Sequence, residues 1–289
     1  MNPNTLSFCC VVKNEEKFIE SLINSLLEVT EFSNKCEFIF VDDFSEDSTL
    51  KILQKYAEKD SRFKILKNVA SGKISGTNIA VSHSQNDYIK FIDGDDLIEG
   101  TLKDLPSNFD CLYHDYNSLS DNKKKYIKIG DWINKNPIEI QRKLRSIPKA
   151  MYIFKRSLLK KYFPIPEALP FEDIWINLIA AEANTISYYE KSIYVYRQHE
   201  NQYYGSLENF NRLKRIRMAN RFINYFDYLE SNDHPFNFVK PEINIRNYAE
   251  ALLSRNPFSF LKLIFSPRLF LKALFFSSSI LTRLILKIK

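Results

Sequence analysis

Between residues 6 and 93 short apolar strands alternate with amphipathic helices, and this alternation limits the fold more than any other feature of the chain. Leu6–Val12 reads as a strand, and Phe18, Ile19, Leu22, Ile23, Leu26 and Leu27 form the apolar face of a helix behind it. Asn14 stands where that helix would be capped. Phe38–Val41 is a second strand, and Ile52, Leu53, Tyr56 and Ala57 line a second helix whose N-cap is expected at Ser45. A short strand at Phe63–Leu66, another helix and a strand at Tyr88–Ile92 complete the series. Such alternation predicts a mostly parallel sheet covered by helices on both faces, an α/β fold.

Two of these strands run straight into carboxylates. The second ends in Asp42 and Asp43; the fourth ends in Asp93-Gly94-Asp95-Asp96. Ligands of open α/β sheets bind at the carboxyl ends of the strands. Gly94 is expected to allow a tight turn that aims Asp93 and Asp95 at one point. Two clustered carboxylates with open coordination positions suit Mn²⁺ or Mg²⁺ shared with a diphosphate. An isolated acid-x-acid turn is usually only a solvated loop, so its neighbours matter.

Four segments together resemble the inverting family 2 glycosyltransferases of GT-A fold. They are Val11-Val12-Lys13-Asn14-Glu15-Glu16, Val41-Asp42-Asp43-Phe44-Ser45-Glu46-Asp47-Ser48-Thr49, Phe91-Ile92-Asp93-Gly94-Asp95-Asp96 and Phe171-Glu172-Asp173. The likeness spans roughly residues 5–200. It implies a Rossmann-like sheet and inverting transfer of a hexosyl or N-acetylhexosaminyl group, with a UDP-sugar as the expected donor. It also implies that Asp43 meets the base, that Asp93 and Asp95 meet ribose and metal-diphosphate, and that Asp173 is the catalytic base with Glu172 beside it. By the same likeness Val11, Lys13, Glu15, Asp42, Asn78 and Gly94 line the nucleotide-sugar site. His199, after the tyrosine-rich strand, would complete the metal site, and Arg197 and Asp96 would face the diphosphate or acceptor.

One position departs from the family. Its members often carry Ala-Arg-Asn before the acid-x-acid strand, and this chain has Gly76-Thr77-Asn78. Lys73 is the candidate to supply the missing positive charge, as a point charge rather than a fork; an ordinary solvated lysine is an equal reading. The chemistry needs both ends of the chain. An acceptor hydroxyl must lose a proton as it attacks, and the leaving diphosphate needs a cation on the other side of the sugar.

Other readings are weaker. A nucleotidyltransferase would be expected to carry a glycine-rich phosphate loop after the first strand, and Val11–Glu16 has no glycine. A nucleotide-sugar- or carbohydrate-binding protein without turnover would not need Asp93, Asp95 and Asp173 together. His83, His114 and His234 lie in unremarkable settings, and Asp121–Lys125 reads as a solvated surface loop, not a nucleic-acid contact. Cys9, Cys10, Cys36 and Cys111 lack metal-ligand spacing and read as reduced, buried thiols of a cytosolic protein. Lys13, Glu15 and Glu16 interrupt the first apolar run, so no signal peptide is expected.

The chain changes character after Gly205. The expected organisation is a catalytic domain over 1–205, with a nucleotide-sugar half at 1–115 and an acceptor half at 116–205, then a helical extension at 206–256 and a tail at 257–289. Phe210–Leu229 is a basic helix. The tail holds six basic residues, Lys262, Arg268, Lys272, Arg283, Lys287 and Lys289, and no acid. Its longest uncharged run, Ala273–Thr282, is 10 residues, too short for the ~20 that a spanning helix needs. The tail therefore reads as an interfacial element on an anionic inner membrane surface, near a glycan or lipid-linked acceptor. Packing as a cap, on this domain or on another subunit of a homo-oligomer, is the competing reading.

Overall fold

The computed structural model describes residues 5–30, 35–130, 147–199, 212–231 and 233–236. The tail expected to meet a membrane lies outside these residues, as does most of the expected extension. Up to His199 the described residues form one compact unit, apart from Ala168–Pro170, which belong with the C-terminal helix to a second.

The first unit is built on one mixed sheet. Four parallel strands, β1 (Leu6–Val12), β2 (Cys36–Asp42), β3 (Phe63–Lys67) and β4 (Tyr88–Asp93), stand in the order β3-β2-β1-β4. Helices α1 (Ile19–Thr30), α2 (Thr49–Ala57) and α3 (Lys73–His83) connect them. β1 and β2 are buried almost along their whole length, as strands covered on both faces must be. Ile19, Leu22, Ile23 and Leu26 bury the α1 face, as the spacing predicts. None of the four cysteines is in a disulfide, and all are buried.

Beyond β4 the sheet turns antiparallel. β8 (Tyr152–Lys155) pairs β4, β6 (Cys111–Ser120) pairs β8, and β9 (Ile186–Arg197) runs parallel to β6 through a bulge near Asp115. β5 (Leu97–Ile98) closes on β9, and β7 (Lys123–Ile127) forms a hairpin with β6. Helices α4 (Arg156–Tyr162) and α5 (Asp173–Ala181) and a 3-10 turn at Lys149–Met151 complete the unit.

Three local expectations change. Ser45 does not cap α2, which starts only at Thr49; its hydroxyl accepts the Asn14 amide instead, at 3.0 Å. The turn after β6 occupies only Asp121 and Asn122, both at positive φ, and Lys123–Lys125 are strand, not loop. Period-two alternation then explains the basic run: Lys124 pairs with Glu99, Tyr126 with Asp115 and Lys128 with Glu190. Gly94 is needed for room rather than for a left-handed backbone, because a Cβ there would lie 2.9 Å from Glu15 Cγ and 3.0 Å from Val12 Cγ1.

In the second unit, α6 (Arg212–Ser231) buries Tyr225 and Leu229, and Arg221 donates to the Pro170 carbonyl at 2.6 Å. No helix among the described residues is long and apolar enough to cross a membrane.

Candidate active site

Strand register brings the acids to one edge. Val12 lies opposite Asp42, and Val11 lies opposite both Val41 and Asp93. The loops after β1 and β2 are then sewn together. Glu46 donates its amide to Asn14 Oδ1 at 2.8 Å, Glu16 to Asp47 Oδ2 at 3.0 Å, and Glu15 to Thr49 Oγ1 at 2.7 Å. Asp43 accepts from Asn68 Nδ2 at 2.7 Å and from the Gly72 amide at 2.9 Å, both through Oδ1. Asp42 Oδ1 and Asn68 Oδ1 are buried and accept from no protein group, so this corner offers acceptors to an N–H-bearing ligand. Asn68 was not singled out from sequence, although it follows β3 as Asp43 follows β2.

At the end of β4 the three aspartates separate in role. Lys73 Nζ lies 2.6 Å from Asp93, and its side chain is 49% exposed. Burial opposes charge on both groups. Even so, Lys73, Lys149 and Lys90 hold Asp93 down at about 2, and Asp93, Glu172 and Asp173 hold Lys73 well above the usual lysine value. Asp95 faces His199, Oδ2 to Nε2, at 3.0 Å. Asp96 is buried, accepting from Tyr194 Oη at 2.5 Å and the Arg197 amide at 2.7 Å. Burial, then Asp95 and Asp93, push its pKa well up. Glu15, against this turn, is pushed up to about 7 by burial and by Asp95.

The second acidic centre begins α5. Glu172 is buried and meets Lys149 Nζ at 2.6 Å, itself buried in the 3-10 turn. Asp173 Oδ1 accepts the Lys149 amide at 3.0 Å. Asn177 fixes this segment to α5 through the Ile147 amide and carbonyl, at 3.1 and 2.9 Å. The two carboxyls therefore differ. Burial opposes ionisation of both, but Lys149 and Lys73 hold Glu172 below its ordinary value, whereas burial and the neighbouring Glu172 push Asp173 up to about 6. A pair whose environments drive their pKa values apart is the signature of assigned acid–base roles. Lys149, which makes the difference, escaped the sequence reading because nothing in Ile147–Ala150 marks it.

Some expected residues are occupied elsewhere. Asn78 spends its amide on the Ile165 carbonyl and amide, both at 2.8 Å. Val11 packs against α3, where a Cβ on Gly76 would lie 2.7 Å from its Cγ1. Arg197 donates to Ser21 Oγ at 2.9 Å and lies over the Phe18 ring, which also stacks on His199 at 4.5 Å. Lys13 is exposed at the strand end. Asp42, Asp43, Glu15, Lys73, Asp93, Gly94, Asp95 and His199 gather along the carboxyl edge of the parallel strands and its flank.

A profile described as "Glycosyl transferase family 2" matches residues 7–163, which takes in β1 to β4 and their acids. The chain belongs to glycosyl transferase family 2. It is 26% identical over 206 residues to the uncharacterised glycosyltransferase EpsJ of Bacillus subtilis, covering 65% of this chain and 59% of that protein. It is 34% identical over 104 residues to the poly(ribitol-phosphate) β-N-acetylglucosaminyltransferase TarS of Staphylococcus aureus, covering 35% of this chain but only 18% of TarS. The fold matches TarS residues 1–349 in complex with UDP-GlcNAc, with a TM-score of 0.57 at 21% identity over 93% of this chain and 79% of that one. It also matches the mannosyltransferase PcManGT of Pyrobaculum calidifontis in complex with GDP-Man and Mn²⁺, with a TM-score of 0.56 at 17% identity over 99% and 79% of the two chains. The GT-A architecture expected from the four segments is thus the one observed. The acids stand in two places, along the carboxyl edge of the parallel strands and as a pair at the head of α5.

Proposed function

We propose that this glycosyl transferase family 2 chain is a metal-dependent, inverting hexosyl- or N-acetylhexosaminyltransferase using a UDP-sugar. The observation that carries the reading is the split pair at α5, with Glu172 held ionised by Lys149 and Asp173 raised to about 6. In transfer, Asp173 takes the proton of an acceptor hydroxyl as that oxygen attacks the anomeric carbon, and the nucleoside diphosphate leaves on the opposite face. Glu172 stays ionised and orients the acceptor. Lys73 stands where it can follow the diphosphate charge, in place of the absent arginine.

Two of the expected ligands are of types that a divalent ion accepts: Asp95 Oδ2 and His199 Nε2 lie 3.0 Å apart, Asp93 two residues away is paired with Lys73, and among the described residues no group of three or more His, Cys, Asp or Glu is placed to hold a metal ion. Diphosphate oxygens would fill the remaining positions. Mn²⁺ or Mg²⁺ held by Asp95, His199 and Asp93 would neutralise the charge that develops on the leaving group. The unpartnered acceptors Asp42 Oδ1 and Asn68 Oδ1 beside Asp43 suit the imide N–H of uracil.

The same reading extends to place and acceptor. The acid-free basic tail at 257–289 supports a peripheral position on the inner face of a membrane, and a surface glycan or lipid-linked glycan as acceptor. Two experiments test these statements. A panel of sugar nucleotides incubated with Mn²⁺ should show nucleoside diphosphate release with one UDP-sugar above the rest; no release from any donor sinks the catalytic reading. The full chain should float with anionic vesicles at low salt and lose binding when cut before Asn256; failure to float refutes the membrane assignment alone.

A further inference from the structure

Lys90 sits mid-way along β4 between Ile89 and Phe91 and is wholly buried. A lysine is out of place in a strand covered on both faces. Its Nζ donates to the Ala150 carbonyl at 2.6 Å and to His114 Nε2 at 2.8 Å, and lies 5.2 Å from the centroid of the Tyr194 ring. The Asp115 carbonyl, 2.6 Å from His114 Nδ1, can only accept, so the ring hydrogen sits on Nδ1 and Nε2 of the neutral ring accepts from Lys90. Burial drives the Lys90 ammonium well below its ordinary value and does the same to His114. A methionine would fill the same volume with no charge to desolvate, so volume does not explain a lysine here.

The contacts point to a role. Ala150 follows Lys149, whose amide holds Asp173 and whose ammonium holds Glu172. Tyr194 Oη accepts the Asp93 amide at 3.2 Å and donates to Asp96. One buried side chain on β4 therefore binds the segment that carries the catalytic pair, and lies against the ring that supports the donor turn.

We propose that Lys90 is a positioning residue that ties the 3-10 turn bearing Lys149 and the Asp93–Asp96 turn to one strand, fixing the gap between base and donor. The inference rests on the transfer reading above. A misplacement of about 1 Å can cost ~100-fold in rate, so loss of the tie should appear in kcat rather than in donor affinity.

The test replaces the tie at constant volume in the full chain. Lys90→Met/His114→Leu removes donor and acceptor together and should fold. Its kcat for transfer should fall ~10- to 100-fold, by the same positional argument, with UDP affinity by calorimetry within about twofold of wild type. His114→Gln alone, which keeps Lys90 and offers it an acceptor oxygen in place of Nε2, should retain most of the rate. Amide hydrogen exchange gives a readout independent of activity: the Asp93 and Lys149 amides should exchange faster in the double variant, while those of β2 should not. Wild-type kcat with unchanged exchange, a loss of UDP affinity equal to the loss of kcat, or an unfolded double variant would each overturn the proposal. A wild-type protein that transfers no sugar sinks the transfer reading instead, and the exchange measurement still decides the role of Lys90.

Discussion

The parallel and antiparallel sides of the sheet in the first unit use carboxylates in opposite ways. On the parallel side, acids stand at the strand ends and are held by backbone amides and short side chains from neighbouring loops. Asp42 still has a buried oxygen with no protein partner, and Asp95 meets the His199 imidazole at 3.0 Å. On the antiparallel side of the sheet, Asp115 and Glu99 are closed. Asp115 accepts from Tyr126, from Tyr188 at 2.8 and 2.9 Å, and from the Ile129 amide at 2.6 Å. Glu99 binds Asn117, Lys124 and Ser192. A carboxylate with its lone pairs filled by the protein is a rivet. One with vacant lone pairs at a parallel strand end is available to a ligand.

Mutation can break this contrast. Asp95→Ala should abolish donor turnover in a folded protein; full activity in that variant, or in excess chelator, would put the donor acids among the rivets. Asp173→Asn should lower transfer by ~100- to 10,000-fold, with donor binding intact by calorimetry. Transfer at the wild-type rate would hand the base role to Glu172. The pH profile sharpens the assignment. In the proposed transfer Asp173 acts as a carboxylate, and its pKa is pushed up to about 6, so kcat should be flat at high pH and fall about tenfold per unit below that value. Lys149→Met removes the cation that contacts Glu172 and leaves the two adjacent carboxyls only the charge of Lys73 to oppose their repulsion. They should keep a proton to higher pH, and the acid limb should move up; an unmoved limb would remove Lys149 from the site. The smallest effect on activity belongs to the closed acids of the antiparallel side. Asp115→Asn should cost ~1–3 kcal/mol in denaturant titration and leave kcat and donor affinity unchanged. Lost turnover at unchanged stability would mean that Asp115 touches substrate.

The sequence made the parallel side of the sheet readable because β1, β2 and β4 are contiguous apolar runs, two of which end in acids. Period and end residue were sufficient for β1, β2, β4 and the Asp93–Asp96 turn. Residues whose role depends on topology were not readable. Lys149 meets Glu172 only because β8 folds back onto β4, and Lys90 meets Ala150 for the same reason. Ser45 obeys the capping rule locally, but the Asn14 loop takes its hydroxyl first. Asn78 carries the family pattern and spends it on Ile165. The basic run at Lys123–Lys128 looks like a solvated loop until strand alternation sets every second side chain against an acid.

The strand order has a consequence during synthesis. β1 to β4 are consecutive in the chain and can pair as soon as Asp93 has emerged, but the outer edge of β4 is covered by β8, which begins only at Tyr152. At ~5–20 residues per second, translation takes roughly 3–12 s to cross that gap. For that time Tyr88–Lys90 is an open sheet edge of a nascent domain, the kind of edge that recruits foreign strands. The ammonium of Lys90, waiting on this edge for Ala150 and His114, is then a charge that any intruding strand would have to bury without a partner.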